Sequence, residues 1–289
     1  MKIIFSRKGF DSSAGGSPSL IFPDRTLFSI PIPSSKDDYC YSELSFQYQG
    51  DSIQSILNEI TGKRIRHNKQ RTDCDFSLTQ QRCHYDPMPI HQANRLVLGQ
   101  AGNAEIHLQN QRVGIGDIFL FYGWFRQVEK KDGRWQYLPS SRDIHLIWSW
   151  MTIGETFDLG TQSQREQAKA NYQFLHRHPH LADWREAPNR IYISKEGGLL
   201  SYSTSRCLTE CMEYRGRSTW RLPACFNQPQ AFTFLKNFIL DGDDVIISYQ
   251  GYGQEFVLDL HMVSSENDKT KILAYMNQNI LGGSEQSVP

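Results

Sequence analysis

The segment Ser6-Arg7-Lys8-Gly9-Phe10-Asp11-Ser12-Ser13-Ala14-Gly15-Gly16 gathers two cations, a carboxylate, hydroxyls and paired glycines directly after the apolar run Ile3-Ile4-Phe5. Arg7 and Lys8 suit a phosphate, with Ser12 and the amides of Gly15 and Gly16 as further donors, because glycine lets a backbone come close to a ligand. Asp11 is then the reacting carboxylate, activating water or a substrate hydroxyl. The other reading of this stretch is a solvated connection whose glycines only permit a turn.

A second candidate is Cys83-His84-Tyr85-Asp86-Pro87. Residues two apart on extended chain point the same way, so His84 and Asp86 can act as an acid/base pair or as two metal ligands, or Asp86 can simply open a turn before Pro87. The third is Gly251-Tyr252-Gly253-Gln254-Glu255-Phe256, where Tyr252 could stack on a base, Gln254 could read its edge, and Glu255 is the alternative carboxylate. An ordinary hairpin start explains the same residues. The fourth is Gln100-Ala101-Gly102-Asn103 with His107, amides between small residues that suit a pocket, the histidine being expected on a strand.

Other spacings carry less. His176, His178 and His180 are interrupted by Pro179 and have no spaced fourth ligand, and Cys207 and Cys211 lack the second half of a zinc site, so no metal ligand is assigned. Asp73 and Asp75 flank Cys74 and read as a solvated loop. No Walker loop, dinucleotide fingerprint or nucleophile elbow is present, and the residues leave the cofactor unassigned.

These side chains need a frame, and strand signals dominate it. Strands are expected at 2–5, 26–30, 118–122, 143–151, 190–194, 199–203, 244–249 and 255–260. The run Ile118-Phe119-Leu120-Phe121-Tyr122 predicts a strand covered on both faces. From 144 to 150, alternation puts Ile144, Leu146, Trp148 and Trp150 on one face and His145, Ile147 and Ser149 on the other. Ile53, Ile56, Leu57 and Ile60 predict a helix over 51–61, capped by Asp51 or Ser52 and stopped by Gly62. Further helices are expected at 163–176, 229–240 and 267–280. The pattern gives an α+β fold, a single domain over 1–280 with a strand-rich core, peripheral helices and a loose tail at 281–289.

Acids and bases balance at 31 each, so no global field draws the chain to nucleic acid. A local stripe of Lys63, Arg64, Arg66, Lys69 and Arg71 can still supply phosphate contacts, or form a solvated face. Six scattered cysteines without a C-x-x-C pair or a leading signal peptide indicate a reducing, cytoplasmic setting. No stretch approaches the ~20 apolar residues that span a bilayer, so no membrane partner is expected.

Together, SRKGFDSSAGGSPSLIFPD, HYDP, GQAGNAEIHLQNQRVGIGDIFLFYGWF and GYGQEFVLD resemble the domain called nucleotide modification associated domain 3, from Met1 to about residue 260. The resemblance implies an association with enzymes and defence systems that modify bases in phage or bacterial DNA. The partners it implies are DNA or a nucleotide and other modification or defence proteins. It carries over no catalytic residues. The chain departs from the pattern after Pro87, where a second acid would be more typical. The glycine-aspartate turn before the central strand, with a second aromatic strand ending at Ile153-Gly154, is similar to PUA and EVE/ASCH barrels, which bind modified or flipped nucleotides. The functional expectation is an enzyme that modifies or removes a base in DNA, the alternative being a non-catalytic reader of modified bases.

Overall fold

The computed structural model describes residues 1–67, 70–90, 95–182, 187–249 and 255–283. Its frame is a strand-rich sheet curled into a half-barrel, mixed α/β in one domain. In order across the sheet run Met88–Ile90, Arg95–Ala101, Asn189–Leu199, Ile144–Asp158, the central strand Ile118–Lys131, the opening strand Lys2–Arg7 and the closing strand Phe256–Asp259. A smaller three-stranded sheet, Thr219–Pro223, Asp244–Ser248 and Phe238–Asp241, packs beside it.

The opening strand pairs parallel to the central one, Ile3 beside Ile118 through Arg7 beside Tyr122, and antiparallel to the closing one, Lys2 opposite Asp259 through Phe5 opposite Phe256. Its alternation serves two cores. Ile3 and Phe5 join Leu120, Tyr122, Trp220, Phe226, Leu258 and Ile272 on one face, while Ile4 joins Leu98, Phe119, Phe121, Met151, Tyr192 and Val257 on the other. Each such fully buried side chain contributes about 1.5–3 kcal/mol. The double coverage expected of 118–122 is present.

The central strand then changes partner. Beyond Tyr122 it pairs with Ser19–Ile21, which meets Phe125–Gln127 in parallel. The chain between Lys8 and Pro18 therefore leaves the sheet edge and returns to the same edge, so it must stand out as a loop. Lys8 N–H still donates to Tyr122 O at 2.8 Å. Gly123 allows this crossing, since a Cβ there would sit 2.7 Å from Lys8 O.

Helix α1, Ile53–Thr61, buries Ile53, Ile56 and Leu57, is capped by the Ser52 side chain and ends on left-handed Gly62. Helix α3, Gln162–Asn171, is shorter than expected, and α4, Glu266–Asn279, falls where the spacing put it. Helix α2, Gly102–Asn110, replaces the strand expected around His107. Over 229–240 the expected helix is absent. Phe234 and Asn237 take positive φ of 61° and 58°, Phe232 bridges to Leu258, and Phe238–Asp241 is a strand. The expected strand at 199–203 is also absent, because Asn189–Leu199 runs on through Gly197 and ends at Leu199. The two-face assignment of 144–150 is corrected by a bulge. Phe121 faces Ser149 while Tyr122 faces Ile147, so parity flips at Trp148 and Trp150 packs in the same core as Ile147. The tail at 284–289 lies outside the described residues. Among the described residues no helix is long and apolar enough to cross a membrane.

His145 is enclosed by this core at 1% exposure, and Trp220 Nε1 donates to its Nδ1 at 3.1 Å. Burial, with repulsion from Arg217 and Arg7, pushes its pKa well below the usual imidazole value. A depressed folded-state pKa means that His145 opposes unfolding above the unfolded value of about 6.5 and that this stability is lost as pH falls below it. His145→Gln, which cannot titrate, should show a shallower fall in denaturation midpoint between pH 7 and pH 5 than the wild type. Identical slopes would refute the assignment.

Candidate active site

Asp86 is the centre of the site. The chain from Cys83 onward leaves a short pairing with Ile32–Pro33 and carries Asp86 against the strand Arg95–Ala101, where its side chain is 1% exposed. Gly99 N–H donates to Asp86 Oδ1 at 2.9 Å, and His178 Nε2 lies 3.4 Å from the same oxygen. Oδ2 has no hydrogen-bond partner among the described residues, yet His84 Nε2, His180 Nε2 and Lys8 Nζ face it at 3.7, 3.9 and 3.9 Å. The same-side orientation read from the His84/Asp86 spacing is therefore present. Burial works against the charge on Asp86, but contacts with His178, His84 and Lys8 outweigh it and hold its pKa well below the ordinary value.

Glu255 enters from the opposite end of the chain. The antiparallel closing strand sets it beside the end of the opening strand, so Lys8 Nζ is 3.9 Å from its Oε1 as well. Gln100 Nε2 donates to the same oxygen, and Oε2 is buried without a hydrogen-bond partner among the described residues. Burial raises the pKa of Glu255, against the pull of Lys8. One lysine thus bridges two buried carboxylates whose surroundings push them in opposite directions, a pattern that separates a proton carrier from a fixed charge. His107, from α2, lies near the Glu255 backbone with Nε2 3.2 Å from Thr233 Oγ1, and burial lowers its pKa.

Two supporting contacts orient the imidazoles. His84 Nδ1 is 2.7 Å from Asp37 Oδ2, and His180 Nδ1 is 2.8 Å from Asn189 Oδ1. Burial lowers the pKa of His84, but Asp37 and Asp86 outweigh it and the net shift is upward. Asp37, His178, His180 and Asn189 were not singled out as parts of this site by sequence. The Pro179 interruption that counted against the histidines instead opens a short 3-10 turn, Pro179–Leu181, which lays His178 and His180 on Asp86.

The opening loop forms the rim. Asp11 Oδ1 accepts from Ser13 N–H, Ser13 Oγ–H and Ala14 N–H, and its Oδ2 pairs with Arg7 Nη2 at 3.1 Å. Both oxygens are occupied in holding the loop, so its geometry is that of an organiser rather than a base awaiting substrate. The N–H groups of Gly15 and Gly16, expected to cradle a phosphate, donate here to Arg66 O and Asp11 O. Arg66 and Arg217 reach over this loop to Ser12 O and Ser12 Oγ.

The basic stripe is a hairpin, Arg64–His67 with Gln70–Asp73, which folds Asp75 back onto Lys63 at 2.6 Å and Asp73 onto Arg64 at 3.8 Å. Arg66 and Arg71 remain exposed. Lys69, Tyr252 and Gln254 lie outside the described residues.

Beside Asp86 opens a cavity of about 560 Å³, walled by Phe28, Phe46, Tyr48, Tyr85, Pro87 and Trp148. Its size and aromatic lining suit a small organic ligand. Gly9, next to Lys8, and Asp86 both contribute to its wall, so the cavity adjoins the charged cluster. These aromatic residues come from segments far apart in sequence.

A family model described as nucleotide modification associated domain 3 matches residues 2–259. No curated protein matches, and no solved structure does.

Gly99 is where this arrangement is most exposed to substitution: a Cβ would fall 2.2 Å from the His180 ring. Gly99→Ala should destabilise the chain by about 1–3 kcal/mol through overpacking. Gly114→Ala, with open space around it, should change stability by no more than about 0.5 kcal/mol. Equal midpoints for the two variants in chemical denaturation would contradict this packing.

Proposed function

The chain belongs to the nucleotide modification associated domain 3 family, and on that premise we propose that it is an enzyme acting on a base in DNA. The observation that carries the proposal is the aromatic cavity adjoining a buried Lys8–Asp86–Glu255 cluster. A base taken out of the duplex stack, at a cost of about a few kcal/mol, needs a stacking surface and polar groups at its edge. Tyr48, Tyr85, Phe28 and Trp148 supply the first, the role expected of Tyr252. Asp86 and Gln47, on the cavity wall, supply the second, with Glu255 linked to Asp86 through Lys8.

Glu255, rather than Asp11, is the proton carrier in this reading. Its free Oε2 and raised pKa suit a carboxyl that gives up and regains a proton, with Asp86 staying ionised and His84 beside it. Lys8 fixes the two carboxylates relative to each other. Arg66 and Arg71, exposed on the hairpin, and Arg7 at the rim would meet the phosphates. Partner proteins from DNA modification or defence would act on the same substrate. A passive reader has little use for two buried carboxylates sharing one lysine, and this favours the enzyme.

The test is mass spectrometry of nucleosides from plain and hypermodified phage DNA incubated with the protein. The expected result is a new or missing nucleoside with the wild type. Glu255→Gln should lower its formation by about 100-fold or more while DNA affinity stays within about threefold. Unchanged DNA alongside tight, selective binding would replace the enzyme with a reader. Arg71→Ala should reduce the slope of log affinity against log salt by about one, and an unaltered slope would remove the hairpin from the DNA interface.

A further inference from the structure

We propose that His84, Asp86 and His180 form a binding site for one divalent transition-metal ion. One ligand atom from each of the three lies within 4.8 Å of the other two. Asp86 is the independent pointer. Its Oδ1 is fixed by Gly99 N–H, whereas Oδ2, on a side chain 1% exposed, is aimed at the Nε2 atoms of both histidines, with Lys8 Nζ also 3.9 Å away, and accepts no hydrogen bond among the described residues.

The supporting contacts set both rings for ligation. The Asp37 carboxylate can only accept, so His84 Nδ1–H donates to it and the lone pair of the neutral ring lies on Nε2. Asn189 Nδ2 donates to His180 O at 2.8 Å, which turns its Oδ1 toward His180 Nδ1 and again leaves the lone pair on Nε2. A ligand imidazole whose second nitrogen is held by a carboxylate or carbonyl is the usual arrangement around protein-bound metals. His178 differs: its Nδ1 accepts the N–H of His180, so its Nε2 carries the hydrogen and steadies Asp86 Oδ1 from outside the ligand set.

Distance and charge agree with this assignment. Metal–ligand bonds of about 2.1 Å put ligand atoms roughly 3.0–3.4 Å apart, so the observed 3.7 and 3.9 Å require a contraction of about half an ångström. Asp37 and Asp86 both face the His84 ring while Lys8 lies 3.9 Å from Asp86, so among the described residues the acids at the ligand set outnumber the ammonium. Two imidazoles and one carboxylate select iron, cobalt or zinc over magnesium or calcium, and three protein ligands leave positions open for water or substrate. The site does not depend on the base-handling reading. A chain that binds metal and never alters DNA sinks only that reading, and base chemistry without metal binding sinks only this one.

The experiment is titration of the chelator-treated full chain with Co²⁺ and Zn²⁺, followed by visible absorption, calorimetry and thermal melting. One equivalent of Co²⁺ should bind with ligand-field bands, and either metal should raise the melting temperature. His84→Ala and His180→Ala should each weaken binding by about 100-fold or more, while His176→Ala, at an exposed position, should leave it unchanged. Failure of the wild type to bind either metal stoichiometrically overturns the proposal, as does equal competition by Mg²⁺. Where the alanine variants do not fold, the wild-type titration decides by itself.

Discussion

Everything in this molecule is arranged around the need to keep one carboxylate charged in the dark. A bare ion with the burial of Asp86 would be several kcal/mol too costly to retain. It is retained because several segments reach it: Lys8 from the end of the opening strand, His84 from its own segment, Gly99 from a sheet strand, and His178 and His180 from the start of a 3-10 turn. The half-barrel makes these approaches compatible. Its curl and the partner change along the central strand bring the opening loop, the Arg95–Ala101 strand and the closing strand to one side of the sheet.

Local signals were legible wherever a side chain's neighbours in sequence are also its neighbours in space. The α1 boundaries, with Ser52 and Gly62 as caps, and the two-faced run at 118–122 follow from spacing alone. His84 and Asp86 likewise face one another because extended chain repeats every second residue. What spacing could not show was convergence. Pro179 looked like an interruption between histidines, yet it starts the turn that delivers them. Asp11 had the chemistry of a reacting group, and only its hydrogen bonds reveal that the loop uses it up.

The misassigned elements have the same origin. His107 sits on a helix whose apolar stripe is weak and was overshadowed by the strong strand that follows it. In 229–240 the apolar spacing of a helix is present, but left-handed backbone at Phe234 and Asn237 and the bridge from Phe232 to the closing strand decide otherwise. The aromatic cavity was invisible in advance because its walls are contributed by several unconnected stretches.

The pairing of the first strand with the last has a consequence for biosynthesis. Lys2 through Arg7 leave the ribosome long before their sheet neighbour Phe256–Asp259 and the adjoining Glu255. Until then the edge of the opening strand is uncovered and Lys8 has one of its two carboxylates missing. A nascent polypeptide therefore cannot assemble this centre until the closing strand has been made.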